Sequence, residues 1–132
     1  IALQEILDRK PQHVPALISM GITLCALDRA EEALSPLDEA IRLSPDNPDA
    51  WHMRAQFYIE QGTLSAALSD LEAAIRVDAR HMDSLLHAAA ILHETGPSDK
   101  AELAWRRVLD IEPTHRLART RLTEIENSSI KT

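Results

Sequence analysis

The chain has 132 residues, of which 45% are hydrophobic and 27% are charged, a composition typical of one globular domain with a packed core. No apolar run approaches the roughly 18 residues that a membrane-spanning helix needs, so we expect no direct membrane insertion. The net charge of −7 is concentrated in residues 28–83, which carry twelve acidic and five basic residues. Such an acidic surface repels phosphate backbones and excludes a nucleic-acid-binding role.

The cysteine content and the first residue bear on the cellular context. Cys25 is the single cysteine, so an internal disulfide is impossible, and we expect a cytoplasmic location. Because the chain begins at Ile1 rather than at a methionine, we expect it to be a piece of a longer protein.

One eight-residue pattern returns along the chain at equal intervals. It reads ILDRKPQH from Ile6, AIRLSPDN from Ala40, AIRVDARH from Ala74 and VLDIEPTH from Val108. A fixed period of 20 to 50 residues indicates a repeat architecture, in which each repeat buries its apolar face against its neighbours. The spacing defines three blocks of equal length, 14–47, 48–81 and 82–115.

The predicted helices follow the blocks in chain order. Residues 1–13 are predicted to be the second helix of a truncated repeat, and each later block has two helical stretches. The first stretch of each block shows one spacing, i, i+3, i+4 and i+7. The residues at these positions are Leu17, Met20, Gly21 and Leu24 in block one, Trp51, Arg54, Ala55 and Tyr58 in block two, and Leu85, Ala88, Ala89 and Leu92 in block three. The second stretches have Ala33, Leu37 and Ala40; Ala67, Leu71 and Ala74; Ala101, Trp105 and Val108.

The two stretches of each block are separated by a break at Asp28, Gly62 and Gly96. Glycine suits the left-handed residue that follows a helix end. Asp28 and Glu31 have the spacing of a capping box for the second helix of block one.

Prolines mark helix limits and one irregularity. Asn47 followed by Pro48 favours a helix start, because asparagine caps the helix and proline lacks a donor that is not needed there. Pro36 lies inside the second helix of block one, where we expect a kink.

Residues 116–132 are predicted to be a capping helix and tail. Ala118, Leu122 and Ile125 form an apolar stripe that can pack on block three. At the places where a further repeat would need apolar residues, the chain has Arg119, Thr123 and Glu126, which we expect to face water. We therefore expect the array to end near residue 127, with residues 127–132 frayed.

These features resemble the tetratricopeptide repeat (TPR) family, whose pattern is W-x2-L-G-x2-Y, then A-x3-F, then P. The matching residues are Gly21 and Pro45 in block one, Trp51 and Tyr58 in block two, and Pro113 in block three, where Trp105 takes the place of Phe. The resemblance covers three full repeats, a leading half repeat and a C-terminal capping helix. It implies an all-α, right-handed superhelical α-solenoid of antiparallel helix hairpins. Trp51 is then predicted to lie between the two helices of block two.

In the TPR family the first helices line a concave groove and the second helices form the convex back. The resemblance places one set of first-helix residues in a partner-binding groove, with Met53 and His87 beside them. The set is Ile18, Ile22, Cys25, His52, Gln56, Ile59, Leu86, Ala90 and His93. It places on the back, as a solvated face without function, Asp38, Glu39, Arg42, Asp70, Glu72, Arg76, Arg106, Arg107 and Asp110. Because an exposed apolar stripe is a signal of a binding site, we expect mainly apolar contact with a partner, with His52, Gln56 and His93 as polar anchors. The alternative is that N-terminal repeats or a second copy of the chain cover Ile18 and Ile22.

Other chemistries find little support in the sequence. One TPR variant clamps the C-terminal carboxylate of heat-shock chaperones with Lys, Asn and Arg at five places, which here are Ile18, Ile22, Met53, Asp83 and His87. The chain is therefore not expected to be a carboxylate-clamp chaperone binder.

His81, His87 and His93 are evenly spaced but scatter around a helix axis rather than sharing a metal-binding face. We predict no catalytic residue, no metal site and no cofactor.

The sequence thus predicts a non-enzymatic interaction module, or scaffold, that binds a peptide or helix of another protein. The alternative is a domain of a larger enzyme, such as a transferase, in which the repeats position a substrate or hold subunits together. Because nothing caps residues 1–7, we also expect either further protein there or a second copy of the chain, which would form a homo-oligomer through the N-terminal helix.

Overall fold

The computed structural model describes residues 13–131, with side chains for residues 13–128. The regular structure in this range is seven α-helices: α1 (Val14–Ala26), α2 (Ala30–Leu43), α3 (Pro48–Glu60), α4 (Leu64–Val77), α5 (Met82–Thr95), α6 (Ser98–Ile111) and α7 (Arg116–Lys131). The chain divides into two compact units, Ile1–Ala79 and Arg80–Thr132, so that α1–α4 belong to the first unit and α5–α7 to the second. The predicted leading helix, and self-association through it, lie outside the described residues.

Successive helices pair as hairpins, α1 with α2, α3 with α4 and α5 with α6. The turn of each hairpin contains one residue with a positive φ angle, 60° at Asp28, 76° at Gly62 and 73° at Gly96. The predicted break is therefore confirmed, and Asp28 fits because aspartate tolerates the left-handed region better than most residues. The predicted capping box is wrong. The residue before α2 is Arg29, which makes no side-chain capping bond, because Asp28 serves as the left-handed turn residue.

The last residue of the recurring octet starts the next helix. These residues are His13 before α1, Asn47 before α3, His81 before α5 and His115 before α7. Asn47 Oδ1 accepts a hydrogen bond from the Asp49 N–H at 3.0 Å, which confirms the predicted start of that helix. His115 Nδ1 accepts one from the Ala118 N–H at 3.3 Å. The octet therefore recurs at a fixed interval because each repeat begins with one such helix start.

The second helix of each hairpin supplies the centre of the core. All nine positions predicted for it are at most 1% exposed: Ala33, Leu37, Ala40, Ala67, Leu71, Ala74, Ala101, Trp105 and Val108. The first helices bring small residues against them. A Cβ atom added at Gly21 would lie 2.6 Å from Cγ of Leu37, so the two helices approach too closely for a side chain there. Ala55 and Ala89 hold the equivalent places and are fully buried.

Trp51 is less buried than a place between two helices would make it. Its side chain is only partly buried and packs against a cluster that includes Ile18 and Ile41 of block one. Its Nε1 donates a hydrogen bond to the carbonyl oxygen of Pro45 at 2.8 Å. Trp51 therefore contributes to the packing of block two on the preceding block.

The C-terminal helix is longer than predicted. α7 continues to Lys131, so the expected fraying from residue 127 is wrong. Ala118 and Leu122 are buried, whereas Arg119, Thr123 and Glu126 are exposed, as expected for a capping helix. In the first unit, α2 runs through Pro36, where the kink stays a prediction. None of the described helices is long and apolar enough to cross a membrane.

The two tryptophans should contribute unequally to stability. Trp105→Ala should lower the free energy of unfolding by about 3–5 kcal/mol, because it empties a fully enclosed site. Trp51→Ala should cost less, about 1–3 kcal/mol, because it removes a partly buried ring and one hydrogen bond. Urea titration followed by circular dichroism measures both values. A larger loss for Trp51→Ala would contradict these assignments.

Candidate protein-binding surface

Three predicted groove residues meet at one pocket of the first unit. Ile22 and Cys25 of α1 and Gln56 of α3 line a pocket of about 210 Å³. The other lining residues are Gly21, Ala26, Met53 and Glu60, and we call this site the α1–α3 pocket. Since its walls are apolar except at Gln56 and Glu60, it can accept an apolar side chain and one polar contact.

Ile22 gives the α1–α3 pocket an apolar edge in contact with water. This side chain is 47% exposed, and α1 as a whole contains no charged residue. Leu27, directly after α1, is 60% exposed and extends the apolar surface into the hairpin turn. Aliphatic side chains exposed next to a pocket are a signal of a binding surface.

Cys25 lies half-buried in the wall of the α1–α3 pocket. Burial raises the pKa of its thiol, and the negative charge of Glu60 raises that pKa further. Both effects disfavour the thiolate, which is the reactive form. Cys25 is therefore a weak nucleophile and suits a binding wall better than a catalytic centre.

The other groove residues of the first unit are not part of this pocket. Ile18 is 9% exposed and belongs to the core cluster around Leu17 and Ile41, and His52 is 4% exposed. These two residues do not line an open surface as predicted, because neighbouring side chains cover them. Ile59 is half-buried and does not line the α1–α3 pocket.

The remaining three groove residues lie on α5 in the second unit. Leu86 is half-buried and Ala90 is exposed. Trp105 Nε1 donates a hydrogen bond to His93 Nδ1 at 3.4 Å, and His93 Nε2 lies 3.5 Å from a carboxylate oxygen of Glu124. Both ring nitrogens thus have partners on α6 and α7, so His93 links these helices instead of offering a free nitrogen to another protein.

Arg54 is the centre of a charged cluster that the sequence analysis missed. Its Nε and Nη2 donate to the two carboxylate oxygens of Asp70, each at 2.8 Å, and its Nη1 donates to Asp38 at 3.0 Å. The guanidinium carbon lies 5.3 Å from the ring centre of Trp51 and 6.0 Å from that of Tyr58. The hydrogen bonds to Asp70 raise the pKa of Arg54. This side chain joins α3 to α2 and α4 and stays charged.

The cluster corrects one predicted surface position. Asp70 is 4% exposed rather than part of a solvated back face, because Arg54 holds its carboxylate inside the hairpin. A sequence signal was available, since Arg54 takes an apolar position of the repeat and lies midway along the chain between Asp38 and Asp70. The pairing itself depends on side-chain direction, which the spacing alone does not give.

Further ion pairs on the second helices are exposed to solvent. Arg42 pairs with Glu39 and Arg106 with Glu102 within one helix, and Arg106 also lies 3.6 Å from a carboxylate oxygen of Glu126 on α7. The hydrogen bond from Arg42 lowers the pKa of Glu39. Such solvated pairs contribute little and define no site. Among the residues that the structure describes, no group of three or more His, Cys, Asp or Glu side chains is placed to hold a metal ion.

Known proteins resemble this chain in sequence. The model of the tetratricopeptide repeat family matches residues 37–69. A TPR repeat-containing protein of Rhizobium etli is 39% identical over 90 residues, which cover 68% of this chain and 44% of that protein. The chain spans less than half the length of the curated relatives that it matches.

Solved structures resemble the chain over nearly its whole length. The crystal structure of MamA has a TM-score of 0.85 at 20% identity, covering 97% of this chain and 75% of that one. YrrB, a TPR protein with an unusual peptide-binding site, has a TM-score of 0.84 at 17% identity, covering 95% and 64%. The first TPR of Spaghetti, bound to an HSP90 peptide, has a TM-score of 0.78 at 21% identity, covering 90% and 97%. At these identities the likeness establishes the fold.

The helix hairpins and these likenesses define an all-α helical-repeat solenoid. The chain belongs to the tetratricopeptide repeat family.

The Arg54 cluster should show strong coupling between its two best-paired residues. Arg54→Leu should lower the free energy of unfolding by about 3 kcal/mol, because it leaves the buried Asp70 carboxylate without its partner. The double variant Arg54→Leu/Asp70→Leu removes both charges and should recover most of that loss. Chemical denaturation of the wild type, the single variants Arg54→Leu and Asp70→Leu, and the double variant at neutral pH measures the coupling. If the double variant is as unstable as the sum of both single changes, Asp70 does not depend on Arg54.

Proposed function

We propose that the chain binds a peptide or helix of another protein at the α1–α3 pocket, mainly by apolar contact. The observation that carries the proposal is Ile22, a large aliphatic side chain 47% exposed at the edge of a pocket on a helix without charges. Met53 and Cys25 continue the apolar lining, and Gln56 supplies a polar group for orientation. The peptide-binding description of YrrB, a protein of similar fold, supports this use of a TPR scaffold.

The proposed ligand differs from the one bound by Spaghetti. That TPR domain holds an HSP90 peptide. A carboxylate clamp needs basic and amide side chains, whereas the corresponding places here include Ile22, Met53 and Asp83. Asp83 would repel a terminal carboxylate, so we propose a ligand that does not depend on one.

The role we propose is non-catalytic. The pocket offers a thiol with a raised pKa, an amide and one carboxylate among apolar groups. This set provides contact and orientation but no activated nucleophile with an adjacent base. The alternative role inside a larger enzyme would also use the chain as a contact surface.

Charge placed at Ile22 should abolish binding without unfolding the protein. Ile22→Glu puts a carboxylate at the apolar edge, and because the side chain is already half in water, the fold should stay intact. The partner is first isolated from lysate on the immobilised wild-type chain, and its binding to each variant is then measured by titration. Leu86→Glu tests the second unit separately.

The matched controls are Arg76→Glu and Arg107→Glu, which place the same side chain at exposed positions of α4 and α6. Both controls should retain the partner, because neither side chain lines the pocket, and circular dichroism checks the fold of all four variants. Loss of the partner in the controls with retention in Ile22→Glu would assign binding to the opposite face.

A further inference from the structure

The distribution of charge around the α1–α3 pocket identifies the class of its partner. This inference rests on the proposed function, namely that a segment of another protein occupies the pocket. We infer that this segment is cationic as well as apolar: an aliphatic side chain packs against Ile22 and Met53, and a lysine or arginine near it pairs with Glu60.

The net charge of the protein resides entirely in the unit that contains the pocket. Ile1–Ala79 holds thirteen acidic and six basic residues, a net charge of −7, whereas Arg80–Thr132 holds eight of each and is neutral. A field of this sign attracts cationic segments and slows the approach of anionic ones. The first unit therefore favours a basic partner before any contact forms.

The basic residues of the first unit that the structure describes lie outside the pocket lining. Within residues 13–79, Arg29 is paired with Glu32, Arg42 with Glu39, and Arg54 with Asp70 and Asp38. The fourth, Arg76, lies on α4, a helix that contributes no lining residue. None of these four arginines therefore pairs with the carboxylate of the pocket lining.

Glu60 is the charged residue of the pocket lining. It is exposed, and the described part of the chain shows no ion pair to it. Its charge reaches into the pocket, since it contributes to the raised pKa of Cys25. A carboxylate beside an apolar wall matches a ligand in which a basic residue lies next to an aliphatic one, as on one face of an amphipathic helix.

A peptide selection tests the inference without knowledge of the natural partner. The full chain is used to select from a phage-displayed library of random twelve-residue peptides, with an Ile22→Ser variant for counter-selection. Peptides that bind the wild type but not Ile22→Ser should be enriched in Lys and Arg next to Leu, Ile or Val. The same selection on Glu60→Lys should instead enrich Asp and Glu.

The affinity of one selected basic peptide then measures the contribution of Glu60. By fluorescence anisotropy, Glu60→Gln should weaken binding about two- to fivefold, the range of a solvent-accessible ion pair. The control Glu72→Gln removes the same charge from an exposed position of α4 and should leave the affinity unchanged.

The outcomes separate the two proposals. If the peptides depend on Ile22 but show no basic enrichment, the cationic partner is excluded and the pocket remains a binding site. If Glu60→Gln and Glu72→Gln act alike, the inferred pairing with Glu60 is overturned. If no peptide depends on Ile22, both the pocket and its partner class are overturned.

Discussion

The close approach of the two helices in each hairpin is the constraint on which the rest of the structure depends. At Gly21 the backbone of α1 touches the side chain of Leu37 so closely that a Cβ atom would overlap it. Leu71 and Trp105, at the equivalent places of the other hairpins, are as deeply buried as Leu37. Ala55 and Ala89, at the places equivalent to Gly21, are also fully buried, so the small and the large core positions repeat with a constant period from block to block. The other faces of the first helices are not constrained by this contact and can take part in binding.

The positions fixed by this contact could be predicted from sequence, because a helix repeats its faces with a constant period. The nine core positions of the second helices, the left-handed turn residues and the water-facing residues of α7 all follow from that period. Two other features depend on where individual side chains point. The side chain of Trp51 packs against the preceding block, and pairing with Arg54 holds the carboxylate of Asp70 in the interior.

The candidate site was predictable in part, through the resemblance to the TPR family. That resemblance placed Ile22, Cys25 and Gln56 in one groove, and these three residues line one pocket in the structure. Ile18 and His52 were placed in that groove as well but are buried by neighbours that the period does not describe. Glu60 was missed because it is the last residue of α3, where a carboxylate is ordinary, and its importance comes from the apolar wall beside it.

Our main claim is that a partner occupies the α1–α3 pocket, and Cys25 reports on that occupancy directly. It is the single cysteine of the chain and lies in the pocket wall. The measurement is the rate at which iodoacetamide alkylates Cys25, followed by mass spectrometry of its peptide, with and without the isolated partner. Bound partner should slow alkylation strongly, and Ile22→Glu should abolish this protection. If a partner binds the chain while Cys25 reacts at its free rate, the pocket is not the binding site.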